Sequence, residues 1–244
     1  MTQFLKPLLL ICLFLTGCFV EKEGPDTIEG IWSGTITYPN SVKTVDITGL
    51  TTSSGELRFI TSFKSTTTGL VSVSDERFTG TYTMYASQGE TLYNGATKNT
   101  GTLGGTFIPG DRISGESTEN GVTTSTFKLT YSAYEYEKPS SLAHIAGTYS
   151  VTNDEITTTL VILSDSSVSG TNTNGCNYFG NVFVKNTEYN MYDLTLNVEM
   201  CDELNGTYTG LSTLSAFTPN PRDETLNISI NSNDNAITLI IPRA

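Results

Sequence analysis

From residue 28 onward, apolar and polar residues alternate with a period of two. This pattern is typical of half-buried β-strands, because successive side chains of a strand point to opposite faces of the sheet. Gly, Asn and Asp interrupt it at short intervals, as in Glu119-Asn120-Gly121, where tight turns need positive φ. No segment has the pattern of an amphipathic helix of three turns. The alternation therefore predicts an all-β protein of consecutive antiparallel hairpins, with eight strands between residues 28 and 131 and eight between 147 and 241.

The start of the alternating region is repeated later in the chain. Residues 28–33 read Ile-Glu-Gly-Ile-Trp-Ser, and residues 145–150, which lie 117 positions further on, read Ile-Ala-Gly-Thr-Tyr-Ser. We therefore predict two tandem antiparallel domains, residues 28–133 and 145–244, joined by a linker at 134–144. Eight strands per domain match a small up-and-down barrel that is filled by side chains or holds one small ligand.

Glycine followed two residues later by an aromatic residue recurs along the chain. The instances are Gly30/Trp32, Gly80/Tyr82, Gly105/Phe107, Gly147/Tyr149 and Gly206/Tyr208. A glycine lets a strand bend sharply while the ring covers the gap, and closed sheets turn corners in this way. Gly30-Ile31-Trp32 resembles the Gly-x-Trp of the first strand in calycins, the lipocalin and avidin group. The resemblance implies up-and-down barrels, and the second half departs from it by having Tyr149 in place of Trp.

The first residues of the chain have the order of a secretory signal. Lys6 precedes an apolar core over residues 8–15, which is shorter than the ~20 residues that span a bilayer. The core ends in Leu15-Thr16-Gly17-Cys18, which resembles the lipobox of bacterial lipoproteins. The resemblance implies cleavage before Cys18, a diacylglyceryl thioether on its sulfur, and a fatty acyl chain such as palmitate on the new amino group.

We accordingly expect residues 1–17 to be a signal peptide and residues 18–27 a short lipidated tether. Phe19 stands where inner-membrane lipoproteins of enterobacteria usually carry Asp, so the resemblance implies the cell outer membrane, with the body periplasmic or surface-exposed. The formal net charge of −12 opposes binding to nucleic acid, which needs clustered cations. The membrane would be engaged through the lipid on Cys18.

Two of the four cysteines remain available for a disulfide. Cys12 leaves with the signal peptide and Cys18 carries the lipid, which leaves Cys176 and Cys201. Two thiols in an exported protein predict a disulfide bond.

A predicted hairpin of residues 177–185 and 191–200 has a register in which the two cysteines face each other. The same register creates an apolar face from the pairs Phe179/Val198 and Phe183/Leu194.

Residues suited to catalysis are scarce. His144 is the only histidine and lies in the predicted linker, where we expect a surface or interdomain packing role rather than a Ser-His-Asp triad. The sequence has no Gly-x-Ser-x-Gly, phosphate-binding loop, paired-histidine metal motif or Cys-x-x-Cys. Neighbouring carboxylates such as Asp202 and Glu203 fall at turns and strand ends rather than in a cleft. We therefore expect no enzymatic activity, no cofactor and no metal.

Three tyrosines near the end of the first domain are the candidate interface. Tyr131, Tyr134 and Tyr136 alternate with two glutamates on a strand that leaves this domain. Tyrosine buries a large area at low entropic cost, which suits a binding surface. The alternative is that these rings cover a barrel edge or pack between the domains.

Three functions are compatible with the sequence. The leading hypothesis is a non-enzymatic envelope binding module whose partner is an envelope or extracellular protein or a glycan. The second is a calycin-type carrier of a small apolar molecule inside one barrel, and the third is a periplasmic inhibitor or immunity lipoprotein. The inward face separates the first two, and we expect it to be filled by large side chains. These are Trp32, Phe59, Phe107, Phe127, Phe179 and Phe183.

Overall fold

The computed structural model describes residues 27–39, 44–216 and 223–244, which form sixteen β-strands. The first eight are β1 Gly30–Thr37, β2 Thr44–Thr51, β3 Glu56–Thr61, β4 Thr66–Ser74, β5 Arg77–Tyr85, β6 Lys98–Ile108, β7 Arg112–Glu119 and β8 Val122–Tyr131. The second eight are β9 Gly147–Asn153, β10 Ile156–Ile162, β11 Ser167–Asn172, β12 Asn177–Val184, β13 Tyr192–Glu199, β14 Gly206–Ala216, β15 Glu224–Asn231 and β16 Ala236–Pro242. The predicted all-β class and two-sheet organisation are confirmed.

Helical structure in the described residues is limited to short turns. These are α1 Ala133–Tyr136, α2 Leu142–Ile145 and a 3-10 turn at Asp202–Leu204. None of them approaches the length and apolar character that a membrane-crossing helix requires. The predicted signal peptide, Cys18 and the tether up to residue 26 lie outside the described residues.

The first sheet is a closed up-and-down barrel. Consecutive strands pair antiparallel, and β1 also pairs with β8, from Trp32 opposite Tyr131 to Thr37 opposite Thr126. Inward positions of several strands are glycines, and the close approach of neighbouring strands requires them. A Cβ at Gly34 would lie 2.0 Å from the carbonyl oxygen of Lys128. Such positions let the sheet coil tightly enough to close.

The second sheet is nearly closed. Its order runs without crossover from β9 to β16, and its two ends meet at a single bridge between Tyr149 and Arg243. The backbone N–H of Ala244 also donates to the carbonyl of Thr148 at 2.8 Å. Both barrels therefore have the predicted topology, but the seam between β9 and β16 lacks a full ladder.

All five aromatic residues of the Gly-x-aromatic pattern are buried in a barrel core. Three of them also donate a hydrogen bond to the carbonyl oxygen four residues earlier. These bonds join Trp32 Nε1 to Ile28 at 3.1 Å, the Tyr149 hydroxyl to Ile145 at 2.7 Å, and the Tyr208 hydroxyl to Leu204 at 2.9 Å. We call this arrangement the aromatic corner; it fixes the entry of a strand by tying a core ring to the preceding backbone.

Residues 132–141 are bonded to the loop between β12 and β13. The buried Asn190 donates to the carbonyl of Glu135 at 2.9 Å and accepts from the backbone N–H of Leu214 at 3.0 Å. Ser140 donates to the carbonyl of Asn186 at 2.7 Å. The expectation of an alternating strand through Tyr134 and Tyr136 was wrong, because this segment turns helically as α1 and packs between the domains.

Side chains of the first barrel also form hydrogen bonds with strands β15 and β16. The buried guanidinium of Arg58 donates to Asn231 Oδ1 at 2.8 Å, and Thr66 shares a hydrogen bond with Thr238 at 2.7 Å. Arg58 lies against Gly210, where a Cβ would come within 2.6 Å of its Cζ. The β15–β16 hairpin thus contacts the first barrel directly.

The predicted register of the β12–β13 hairpin was wrong by one residue. Phe179 pairs with Asn197 and Phe183 with Asp193, so both phenylalanines point outward. The loop is longer than expected because Asn190 and the residue after it are drawn into the domain contact instead of a strand. The inner face is formed instead by Tyr178, Val182, Leu194, Leu196 and Val198.

Cys176 and Cys201 nevertheless pair as a disulfide, with Cα atoms 4.8 Å apart. Continuing the ladder would place Met200 opposite Cys176. Met200 instead adopts a left-handed conformation with φ 58° and is 71% exposed, which brings the next residue to the sulfur of Cys176. The predicted pairing is correct, although it does not follow from the predicted register.

Candidate functional site

The interior of the first barrel is almost filled. A cavity of about 50 Å³ remains among apolar side chains, including Leu57, Phe59, Phe78 and Phe127. Cavities near 150 Å³ hold a benzene-sized molecule, so this one is too small for a carrier's ligand as it stands. Among the expected filling residues, Trp32, Phe59, Phe107 and Phe127 pack in this core, whereas Phe179 and Phe183 lie outside the second barrel.

A tyrosine–carboxylate cluster lies at one mouth of the first barrel. Glu119 accepts hydrogen bonds from the hydroxyls of Tyr82 at 2.9 Å and Tyr93 at 2.6 Å. Burial, together with the bond to Glu119, raises the pKa of Tyr82 to about 12. Leu92, on the loop after β5, packs on Tyr82 and Met84, which also line the cavity. This loop therefore packs against two residues that line the cavity.

The three candidate interface tyrosines have different environments. Tyr136 is 1% exposed, stacks on Tyr189 with ring centroids 4.7 Å apart, and donates to Glu29. Tyr131 is half-buried and packs edge-on against Trp32 at 5.3 Å. Tyr134 alone is largely exposed, at 67%. Two of the three tyrosines therefore pack within and between the domains, as the alternative interpretation held.

His144 belongs to a charged cluster at the seam of the second barrel. Its Nε2 lies 2.8 Å from Glu224 Oε1, and Arg243 donates to the other carboxylate oxygen at 2.7 Å. Arg243 also donates to the carbonyl of Ala146 at 2.7 Å and lies 5.0 Å from the ring centroid of Tyr149. The cluster fastens the end of the chain to the start of β9 and accounts for the packing role expected of His144.

Within the described ranges, no group of three or more His, Cys, Asp or Glu residues is placed to hold a metal ion. The Asp202 and Glu203 pair lies in the exposed 3-10 turn, and no cleft with two facing carboxylates is formed there.

An apolar stripe runs along the outer face of the second sheet. Phe179 and Phe183 of β12 are 41% and 54% exposed, and Met200 lies at the end of the same row, where Asn177 Nδ2 contacts its sulfur at 3.2 Å. We call Phe179, Phe183 and Met200 the β12 stripe. Single exposed apolar residues are common on protein surfaces, whereas contiguous exposed apolar patches mark interaction sites. In the β12 stripe the two rings lie in one row on either side of the polar Asn181.

An open groove of about 340 Å³ lies beside this stripe. Its side chains come from the ends of β13 and β14 and the connection between them, and they include Asn197, Glu199, Met200, Asn205 and Thr207. Sequence reasoning missed both features because the incorrect register turned Phe179 and Phe183 inward. The sequence does carry a signal for the outward orientation of the two phenylalanines: the polar Asn181 lies between them on the same face of β12.

Comparison of the chain with protein-family models, with curated proteins and with solved structures finds no match.

Proposed function

We propose that this protein is a non-enzymatic lipoprotein, anchored through Cys18 at the outer membrane, whose second domain presents a binding face to an envelope or extracellular partner. The lipobox-like Leu15-Thr16-Gly17-Cys18 supports the anchor. The β12 stripe is the observation that carries the binding role. It is placed on a sheet whose inner face already has a complete core, so its exposed rings are not needed to fill the barrel.

The anchor is tested by fractionation and mass spectrometry. We expect the wild-type chain in the membrane fraction, with an N-terminal peptide that starts at Cys18 and carries a lipid mass. The Cys18→Ser chain should move to the soluble fraction. Retention of the Cys18→Ser chain in the membrane would contradict the lipid anchor.

The binding face is tested by placing a photoreactive p-benzoylphenylalanine at Phe183 in living cells. A matched control places the same residue at Phe63, which is 74% exposed on the first barrel. We expect a discrete cross-linked species from position 183 and none from position 63. Equal labelling at both positions, or none at 183, would rule out this face.

A small-molecule carrier is the second candidate. Its support is the cavity behind Leu92, since displacement of the loop that carries this residue would enlarge the space next to Tyr82. Native mass spectrometry of the Cys18→Ser body would show an added small mass for a carrier. For an inhibitor or immunity lipoprotein, position 183 would cross-link to a single toxin.

A further inference from the structure

We infer that the groove beside the β12 stripe binds an uncharged oligosaccharide; this inference rests on the proposed function and names the ligand class of its binding face. The groove is lined by the ends of β13 and β14 and by Met200 and Asn205, which lie on either side of the 3-10 turn that connects these strands. It is an open groove on the sheet surface rather than an enclosed pocket.

The groove has amide donors that the protein does not use. Asn197 Oδ1 accepts a hydrogen bond from Thr207 Oγ1 at 2.7 Å, and Asn205 Oδ1 accepts from the backbone N–H of Cys201 at 2.8 Å. These bonds fix the orientation of both amide groups through their oxygen atoms. In the described part of the chain, neither Nδ2 group donates to a protein acceptor. Each therefore retains two N–H donors for a ligand rich in hydroxyl oxygens.

Phe179, which lies beside the groove rather than in its lining, supplies an apolar ring next to Asn197. It lies directly opposite Asn197 in the ladder, where Cβ atoms are ~4.5–5.5 Å apart. A pyranose ring has an apolar C–H face and a rim of hydroxyls, so it matches an aromatic ring flanked by amides. Phe183 lies four residues further along the same strand, roughly 13 Å away. A chain of several sugars would reach both rings.

The pairing of the strands makes a peptide the poorer occupant. Extended peptides bind sheets by adding a strand to a free edge, where backbone groups lack partners. β13 pairs with β12 on one side and with β14 on the other, so the backbone at the groove is already bonded. A ligand must therefore use side chains, as a sugar does.

The charges around the groove disfavour acidic glycans. Glu199 lines the groove, and Asp202 and Glu203 are exposed in the adjacent turn. Among the described residues that line the groove, none is Lys or Arg. An anionic sugar would meet like charges without an available cation, so the complementary ligand is uncharged.

The test uses the soluble Cys18→Ser chain, titrated by calorimetry and ligand-observed NMR. The probes are β-glucan, α-glucan, mannan and N-acetylglucosamine hexasaccharides, the matching disaccharides, and hexagalacturonate as the acidic control. We expect at least one neutral hexasaccharide to bind with a dissociation constant of about 1 mM or tighter, and hexagalacturonate not to bind. Phe179→Thr and Asn197→Ala should each weaken binding about tenfold or more, whereas Phe63→Thr should leave it unchanged.

Chain length provides an independent readout. Phe183→Thr should weaken the hexasaccharide and leave the disaccharide unaffected. Failure of every neutral probe, preference for hexagalacturonate, or binding that is insensitive to Phe179→Thr in a chain with unchanged circular dichroism would overturn the inference. If every neutral probe fails but position 183 cross-links to an envelope protein in cells, the oligosaccharide inference fails while the proposed function stands. Failure of both experiments would remove both.

Discussion

The aromatic corners show how one side chain can organise the start of a strand. In each corner a ring two residues after a glycine fills the core and bonds to the backbone four residues before it. In the two tyrosine corners the hydroxyl satisfies the carbonyl of Ile145 or Leu204, whereas the carbonyl of Ile28 also accepts from the Thr51 hydroxyl. An unsatisfied buried polar group costs about 1–3 kcal/mol. At Gly147 the absence of a Cβ also leaves room for Arg243, whose Nη1 would lie 2.2 Å from such an atom.

Tyr149→Phe should therefore lower the free energy of unfolding by about 1–3 kcal/mol, because the ring remains while the bond to Ile145 is lost. Chemical denaturation measures the effect. Tyr134→Phe, at a largely exposed position, is the matched control and should change stability by less than about 0.5 kcal/mol. Equal effects for the two variants would contradict the structural role of the corner.

The raised pKa values of buried tyrosines also predict how the stability of the fold changes at high pH. Burial is the largest cause that raises the pKa values of Tyr82 and Tyr192 to about 12. The folded state therefore holds these protons more tightly than the unfolded state, whose tyrosines titrate near 10. Their stabilisation is complete below pH 10 and is lost as pH rises toward 12.

We accordingly expect the midpoint of urea unfolding to fall steadily from pH 10 to pH 12, with a shallower slope in Tyr82→Phe. Absorbance near 295 nm gives a second measurement, since fewer tyrosines should ionise in the folded chain at pH 11 than in the denatured one. Coincident titration curves for folded and denatured protein would show that burial has no such effect.

At the scale of elements, the β12–β13 hairpin shows that alternation predicts the strands correctly but not which of their residues face inward. Phe183 is exposed, whereas the exposed fraction of Val182 is 0%. Phe183→Thr should therefore change the free energy of unfolding by less than about 0.5 kcal/mol. Val182→Thr, which buries a hydroxyl at nearly constant volume, should cost about 1–3 kcal/mol. A larger loss of stability in Phe183→Thr than in Val182→Thr would support the register expected from the sequence.

The disulfide should stabilise this hairpin. It spans 25 residues, and closing a loop of this length contributes about 3 kcal/mol in the chain-entropy model. Reduction, or the double change Cys176→Ser and Cys201→Ser, should lower the melting temperature without affecting export. A melting temperature unchanged by reductant would remove the structural role of the bond.

The strands were predictable because their signal is local. Period-two alternation and turn residues lie next to each other in the sequence, and burial of one sheet face follows from them. The register was not predictable, because the loop after β12 is shaped by Asn190, whose partners lie in α1 and β14. The groove likewise combines strand ends with a turn, and its exposure depends on that same register.

At the scale of the whole molecule, the two barrels share an apolar contact. Leu211 of β14 is fully buried in a cluster with Ile31, Leu50, Tyr136 and Met191. The bonds of Arg58 and Asn190 surround this cluster with satisfied polar groups. Since burial and hydrogen bonding both cross the boundary, we expect the barrels to unfold together.

Calorimetry should accordingly show one transition for the wild-type chain. Leu211→Asp introduces an unpaired charge into the shared cluster, which should separate the transition into two. Leu70→Asp, at a position that is 60% exposed, is the control and should retain a single transition. A single transition in Leu211→Asp would show that the domains are coupled through other contacts.

The single bridge at the seam of the second barrel has a consequence for the time course of folding. The ladders of β9 to β16 join consecutive strands, so this half can form hairpin by hairpin from contacts close in sequence. The first barrel closes only when Trp32 meets Tyr131, 99 residues later. Contacts between distant residues slow folding because loop entropy is lost before they form. The first barrel therefore sets the rate, and until β8 arrives β1 offers an unpaired edge on which newly exported chains can aggregate.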